Sequence, residues 1–245
     1  MTLVTGGGRG IGAAICRQAA AAGHAIGINY RRDSAAAEAL RDELLESSVA
    51  IVLLQADVSQ EGQVIDMFLE LDEALGPLTG LVNNAGILER QARLVDMDAG
   101  RLNRVLATNV TGAFLCAREA IKRMAASAGG AGGAIVNVSS AASRLGSPGE
   151  YIDYAASKGA IDSMTIGLSK EVGPEGIRVN AVRPGVIYTD IHADGGEPGR
   201  VDRVGPGAPL GRGGYPEEVA SAVLWLLSRQ ASYTTGSFIE VSGGR

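Results

Sequence analysis

Residues 2–22 read TLVTGGGRGIGAAICRQAAAA, and three segments follow one another in that stretch. Thr2–Thr5 is short, apolar and β-branched, as a buried strand is. Glycines at positions 6, 7, 8, 10 and 12 make a turn, and the Ala-rich run behind them carries a helix over about Gly10–Ala22. A strand that feeds a glycine turn into a helix N-terminus can cradle a pyrophosphate. The first helical turn leaves its N–H donors unpaired and carries partial positive charge. Glycines alone would be an ordinary turn; their place between strand and helix gives them meaning. The spacing Gly6, Gly10, Gly12 departs from the general G-x-G-x-x-G pattern.

Outward from this unit the same alternation repeats. Strands are predicted at Ala25–Tyr30, Ala50–Gln55, Gly80–Val82, Ala134–Val138, Ile177–Ala181 and Phe238–Val241. Between them lie helical patterns over Ser34–Leu45, Glu61–Leu75, about Gly100–Ala126 with an interruption near Asn109, Tyr154–Glu171, and Val219–Leu227 behind a Pro216 start. Alternating strands and helices predict an α/β fold with a doubly wound parallel sheet. With 245 residues, 46% of them hydrophobic, and no linker or charge block, the chain reads as one domain, 1–245. Residues 187–214 are rich in Gly and Pro and follow neither period; a stretch that long is expected to be a lid over substrate.

A net charge of −5 gives no footprint for nucleic acid or an anionic membrane surface. No apolar run reaches membrane-spanning length, and the start has no basic and apolar leader pattern. Cys16 and Cys116 lie far apart without metal-ligand spacing and read as buried reduced thiols, which suits the cytoplasm. No metal is expected.

A second stretch carries chemistry: residues 139–158, SSAASRLGSPGEYIDYAASK. Tyr154 and Lys158 stand four apart at the start of an Ala-rich helix, on one face. For acid or base work near neutrality a phenol must drop roughly 3 pKa units, ~4 kcal/mol, and a lysine cation ~4 Å away at an effective dielectric of ~20 supplies about that much. Alone, the pair would read as solvated side chains.

The ordered set of Thr5–Gly12, Asn83–Gly86, Asn109, Ser140, Tyr154 with Lys158, and Pro184-Gly185 resembles the short-chain dehydrogenase/reductase family over essentially the whole chain. The resemblance implies a single-domain Rossmann-type fold of three α/β/α layers. It also implies reversible hydride transfer between a nicotinamide cofactor and a small-molecule carbonyl or secondary alcohol (EC 1.1.1). The catalytic set carried over is Asn109, Ser140, Tyr154 and Lys158, with Asn109 bending its helix and binding a relay water. The cofactor set is Gly6, Arg9, Gly10, Ile11 and Gly12 in the glycine loop, Tyr30 and Arg31 after the second strand, and Asp57 and Val58 at the adenine. It continues with Asn84, Ala85 and Gly86, then Pro184, Gly185, Val186 and Thr189 at the carboxamide, while Tyr154 and Lys158 also reach the ribose. Homotetramers, or homodimers, are the implied assembly.

The residues themselves separate the two nicotinamide cofactors. Tyr30 stands where a fold preferring NAD carries an acid, Arg31 follows, and Arg9 adds charge on the same side, which favours NADP(H); Asp33 leaves NAD(H) open. Substrate is not specified: 3-oxoacyl-[acyl-carrier-protein] reductase and sugar (glucose) 1-dehydrogenase activities share this scaffold. The acyl-carrier reading wants a basic site mouth, and Ser127–Gly133 offers none, although Lys122 and Arg123 are near it in sequence. A non-catalytic NADP(H) sensor would lack Tyr154 or Lys158. His192, one of two histidines, reads as a lid residue that lines the pocket.

Overall fold

Consecutive apolar residues of the inner strands part to opposite faces, as the two-residue period of a strand requires. Leu3, Leu81 and Ile135 pack with Phe68, Cys116 and Ile161. Val4, Val82 and Val136 pack with Ile15, Leu40, Val219 and Leu226. The computed structural model describes residues 1–245. Its strands are β1 (Thr2–Val4), β2 (Ile26–Tyr30), β3 (Ile51–Gln55), β4 (Gly80–Asn83), β5 (Gly133–Val138), β6 (Ile177–Pro184) and β7 (Phe238–Val241). All pair in parallel, in the order β3-β2-β1-β4-β5-β6-β7. This is the expected Rossmann-type fold, helices covering both faces. Chain order reverses between β1 and β4, so a crevice opens there at the carboxyl ends of the strands.

The helices are α1 (Gly10–Ala21), α2 (Ser34–Leu44), α3 (Glu61–Leu75), α4 (Ala99–Leu106), α5 (Gly112–Met124), α6 (Ala142–Leu145), α7 (Ile152–Glu171), α8 (Ile191–Asp194), α9 (Arg200–Val204) and α10 (Pro216–Leu227). A π turn, Ala107–Thr111, joins α4 to α5 and is the predicted interruption. Strand β6 runs to Pro184, beyond the expected end at Ala181, because β7 keeps pairing with it as far as Pro184↔Val241. Proline sits at its last position, where its missing N–H costs least. Residues 187–214 are less irregular than their composition suggests: they contain α8 and α9 and close on themselves through an Ile187↔Gly214 bridge.

The Ser127–Gly133 loop enters β5 at the amino ends of the strands, opposite the crevice. Lys122 and Arg123 are there too, paired with Glu119 at 2.8 Å and Asp72 at 2.7 Å. Neither the loop nor these cations flanks the site mouth, so the argument about acyl-carrier docking drawn from them does not apply. Cys16 and Cys116 are buried free thiols in different cores, both pushed up to about 12 by burial. No helix is long and apolar enough to cross a membrane.

Candidate active site

The glycine loop is fixed by side chains of three strands. Thr5 Oγ1 accepts the N–H groups of Asn84 and Ala85, each at 3.0 Å, and Asn84 Nδ2 donates to the carbonyls of Thr5 (2.9 Å) and Gly6 (3.0 Å). Asn29 Oδ1 accepts the Gly6 N–H at 3.1 Å while its Nδ2 holds the Leu54 and Ala56 carbonyls. Gly6 and Gly10 adopt φ of +60° and +53°, a region that favours glycine. At Gly12 a Cβ would run into the Gly6 carbonyl and stand 2.8 Å from Asn84 Nδ2. The Arg9 side chain does not cap α1, so the donors of its first turn face the crevice unpaired within the helix.

At the outer end, Arg31 follows Tyr30, its Nη1 3.6 Å from Asp57 Oδ2. Asp57 does not cap α3: its Oδ1 accepts the Ser59 N–H (3.0 Å) and hydroxyl (2.7 Å), and the helix starts behind Gln60 with no side-chain cap. Val58 is buried; a Cβ on Gly112 would lie 2.7 Å from its Cγ2. Asp33, the carboxylate that left NAD(H) open, caps α2 by accepting the Ala36 N–H on Oδ1 at 3.0 Å. Arg9 reaches across the crevice to Asp194 of α8, Nη2 to Oδ2 2.5 Å.

The inner end is a cavity of about 480 Å³ whose wall includes Ile11, Asn84, Gly86, Ser140, Tyr154, Lys158, Pro184–Val186 and Thr189. Strand β5 delivers the two serines and α7 the Tyr/Lys pair. Ser139 turns its hydroxyl to Asp162 Oδ1 (2.6 Å), and Ser140, the serine the resemblance implies, stands beside Tyr154 with its hydroxyl on the phenol. Lys158 is 4% exposed; its Nζ donates to the Val138 carbonyl at 2.7 Å and lies 5.5 Å from the Tyr154 ring centroid. Burial pushes the ammonium down to about 8, offset in part by Asp162. Burial likewise pushes the Tyr154 phenol up to about 12, and the Ser140 hydroxyl counters part of this. This corrects the expectation that Lys158 pulls the phenol down: desolvation outweighs that pull and keeps the phenol protonated, while most of the ammonium, titrating near 8, keeps its charge at pH 7.

Asn109 is buried in the π turn. It accepts the Ile87 N–H (2.8 Å) and donates to the Ile87 carbonyl and Ser157 Oγ (3.1 Å each). Its side chain clamps the segment after Gly86 to α7, so a water relay would have to run from its main chain. A Cβ on Gly86 would make only ordinary contacts, 3.4 Å from Asn109 Oδ1 and 3.7 Å from Lys158 Nζ, which shows how near that backbone lies to both side chains. Gly185 must be small, since its Cβ would stand 2.8 Å from Ser242 Cα. Thr189 packs its methyl group against Gly10 and so joins the lid segment to the glycine loop.

Sequence reading missed Asn29, Tyr151, Arg200 and the Arg101–Asp153 pair. An asparagine inside the apolar IGINY strand was the visible signal for the first. Arg101 binds Asp153 through Nε (2.7 Å) and Nη2 (3.2 Å) at the first turn of α7, a buried fork with no local pattern to announce it. Tyr151, Arg200 and Leu88 wall the cavity's far end.

The family profile described as "Enoyl-(Acyl carrier protein) reductase" matches residues 6–245. The chain is 58% identical over 245 residues to "Uncharacterized oxidoreductase YgfF" of Escherichia coli, covering 100% of this chain and 99% of that protein. The chain belongs to the short-chain dehydrogenase/reductase family. It is therefore an oxidoreductase. Another family member, 3-oxoacyl-[acyl-carrier-protein] reductase FabG of Staphylococcus aureus, is 36% identical over 242 residues, 99% of this chain and 96% of that one. A crystal structure of a short chain dehydrogenase from Burkholderia cenocepacia in complex with NADP superposes with a TM-score of 0.91 at 30% identity, covering 99% of this chain and 96% of its own.

Proposed function

We propose that the protein is an NADP(H)-dependent reductase of small carbonyl compounds, working reversibly on the corresponding secondary alcohols. The observation that carries this reading is the meeting of Ser140, Tyr154 and Lys158 in one cavity with Gly86 and the Pro184–Val186 backbone. The chain also fits the cofactor: glycines that tolerate no Cβ, an uncapped helix N-terminus, and Arg9 and Arg31 where a 2′-phosphate needs partners. Ile11 and Gly12 would hold the pyrophosphate, Asp57 and Val58 the adenine, Lys158 the ribose, and Val186 and Thr189 the carboxamide. The bound nicotinamide supplies or takes the hydride.

Tyr154 gives its proton to the carbonyl oxygen in reduction and recovers one in oxidation. The burial that keeps the phenol protonated holds it in the acid form reduction requires. Lys158, able to exchange a proton near pH 8, restores the phenol, and Ser140 donates to the developing alkoxide. Asn109 positions the Gly86–Ile87 wall. Residues 187–214 act as the lid, with Arg9–Asp194 as one of its ties to the glycine loop. The half-exposed Trp225 of α10 and the partly exposed β7 support that edge as the surface through which the chain would form a homotetramer or homodimer. Two buried, free thiols agree with a reducing compartment such as the cytoplasm.

The test is a fluorescence titration with NADPH and NADH, then a carbonyl panel followed at the reduced-nicotinamide absorbance. Acetoacetyl thioesters belong in that panel because of the similarity to FabG. Tight NADPH binding with turnover supports the reading; binding of neither nucleotide overturns it.

A further inference from the structure

Tyr154 is the third residue of α7 and so belongs to its first turn, and helix ends fray. Tyr151, the residue before the helix, gives this turn no side-chain cap, so its first N–H groups lack the partner that commonly holds a helix start in place. An acid that must meet a carbonyl oxygen at hydrogen-bond distance therefore stands on the least secured part of its helix.

What secures that turn comes from α4. Asp153, next to Tyr154 in the chain and buried, takes two arms of the Arg101 guanidinium: Nε donates to Oδ2 at 2.7 Å and Nη2 to Oδ1 at 3.2 Å. The third nitrogen, Nη1, donates to the Arg90 carbonyl at 2.5 Å, and the Ala92 N–H of the same segment donates to the Glu150 carbonyl just before α7 at 3.0 Å. Arg101 is itself fixed in the first turn of α4, where the Asp98 cap accepts its N–H at 2.7 Å. One turn further along α7, Ser157 accepts from Asn109 Nδ2 at 3.1 Å and donates to the Tyr154 carbonyl at 2.7 Å. Asp153 and Ser157 thus form one stripe of α7, tied to α4 and the π turn. Tyr154 and Lys158 form the next stripe, about 100° round the helix, and face the cavity. A two-armed bond fixes direction as well as distance, so it sets the rotation of the first turn about the helix axis. We propose that Arg101 and Asp153 are positioning residues: their fork replaces the missing cap of α7 and aims the Tyr154 hydroxyl at the reacting carbonyl. This deepens the carbonyl-reductase reading and rests on it. For stability alone a buried ion pair is a poor device, since apolar residues of similar volume often serve as well.

The experiment separates aim from stability. In Arg101→Leu/Asp153→Leu both charges leave together, so stability returns close to that of the wild type while the fork is gone. The assay uses NADPH and the panel carbonyl that the wild type reduces fastest. In the double variant kcat should fall by about tenfold or more, because a misplacement of about 1 Å at a reacting group is that costly. KM for the carbonyl and Kd for NADPH should stay within about twofold, the pattern of an interaction that matters only in the transition state. Arg101→Lys keeps a paired charge but offers a point donor in place of the fork, so its kcat should fall in between, by about threefold or more. It carries the test if the double variant does not fold. A kcat within about twofold of wild type in the double variant, or in Arg101→Lys where only that variant folds, overturns the proposal; so does a loss shared equally with NADPH affinity. A second arm needs no substrate: amide hydrogen exchange of the free protein at residues 155–158, whose hydrogen bonds close on the first turn of α7. Exchange there should be faster in the double variant than in wild type, with the rest of the helix unchanged, and equal exchange in the two proteins refutes the assignment. Failure of the reductase reading shows separately, as no turnover of any carbonyl by the wild type.

Discussion

Replacing Lys158 by methionine should reveal a stability cost that the active-site lysine imposes on the fold. Burial lowers its ammonium from the ordinary 10.5 to about 8, roughly two and a half units. At about 1.4 kcal/mol per unit this is ~3 kcal/mol of destabilisation at pH 7. The sign follows from proton counting. Between about pH 8 and 10.5 the unfolded chain binds a proton that the folded chain has lost, so stability rises with pH across that window. The cost is fully present below pH 8 and shrinks to ~1 kcal/mol by pH 10. Lys158→Met also strands the Val138 carbonyl, which accepts from Nζ, but that penalty does not depend on pH. The pH dependence of the difference therefore isolates the ammonium. In urea denaturation at pH 7 and pH 10, the variant's stability relative to wild type should fall by about 2 kcal/mol on going to the higher pH. Tyr154, held up at about 12, does not yet titrate in the folded chain at pH 10. A relative stability that stays constant between the two pH values would refute the reasoning.

Arg31→Ala should raise the Kd for NADPH by about tenfold while leaving NADH within about twofold, because a phosphate contact is lost; equal losses in the fluorescence titration would remove Arg31 from that role. Asp194→Asn frees Arg9 from its half-exposed pair, so NADPH should bind about two- to fivefold tighter and NADH unchanged. Weaker NADPH binding would contradict this. Arg101→Leu leaves the Asp153 carboxylate buried without its partner and should cost ~3–5 kcal/mol in urea denaturation. Adding Asp153→Leu should recover most of the loss, and a double variant as unstable as the single would show that packing, not charge, is at stake.

The fold was legible because its signals are local. Each βα unit shows its strand as an apolar run, and breakers such as Gly76-Pro77 mark where helices stop; α3 and β7 match their expected bounds residue for residue. β6 was read short, since its last three residues are held by β7, some 57 positions away in sequence. The lid helices were missed for a similar reason: α8 and α9 are four and five residues long, too short to show a period, and they are held by ion pairs, α8 through Asp194 to Arg9 and α9 through Arg200 to Glu150 and Arg203 to Glu197. At the site, residue types told which groups meet but not their charge states. Spacing placed Tyr154 and Lys158 on one face; only burial, a property of the whole fold, decides that the phenol stays protonated and that the ammonium titrates near 8. The basic residues near Ser127–Gly133 misled because nearness in sequence says nothing about which end of a sheet a loop occupies.

The measurement that bears most directly on the central claim is NADPH-dependent carbonyl reduction by Tyr154→Phe, alongside its NADPH affinity. The phenyl ring keeps the packing and loses only the hydroxyl. Turnover should fall by about 10²-fold or more, the range a positioned acid contributes, with NADPH affinity within about twofold of wild type. Turnover close to wild type, with the variant folded and binding NADPH, would contradict the account.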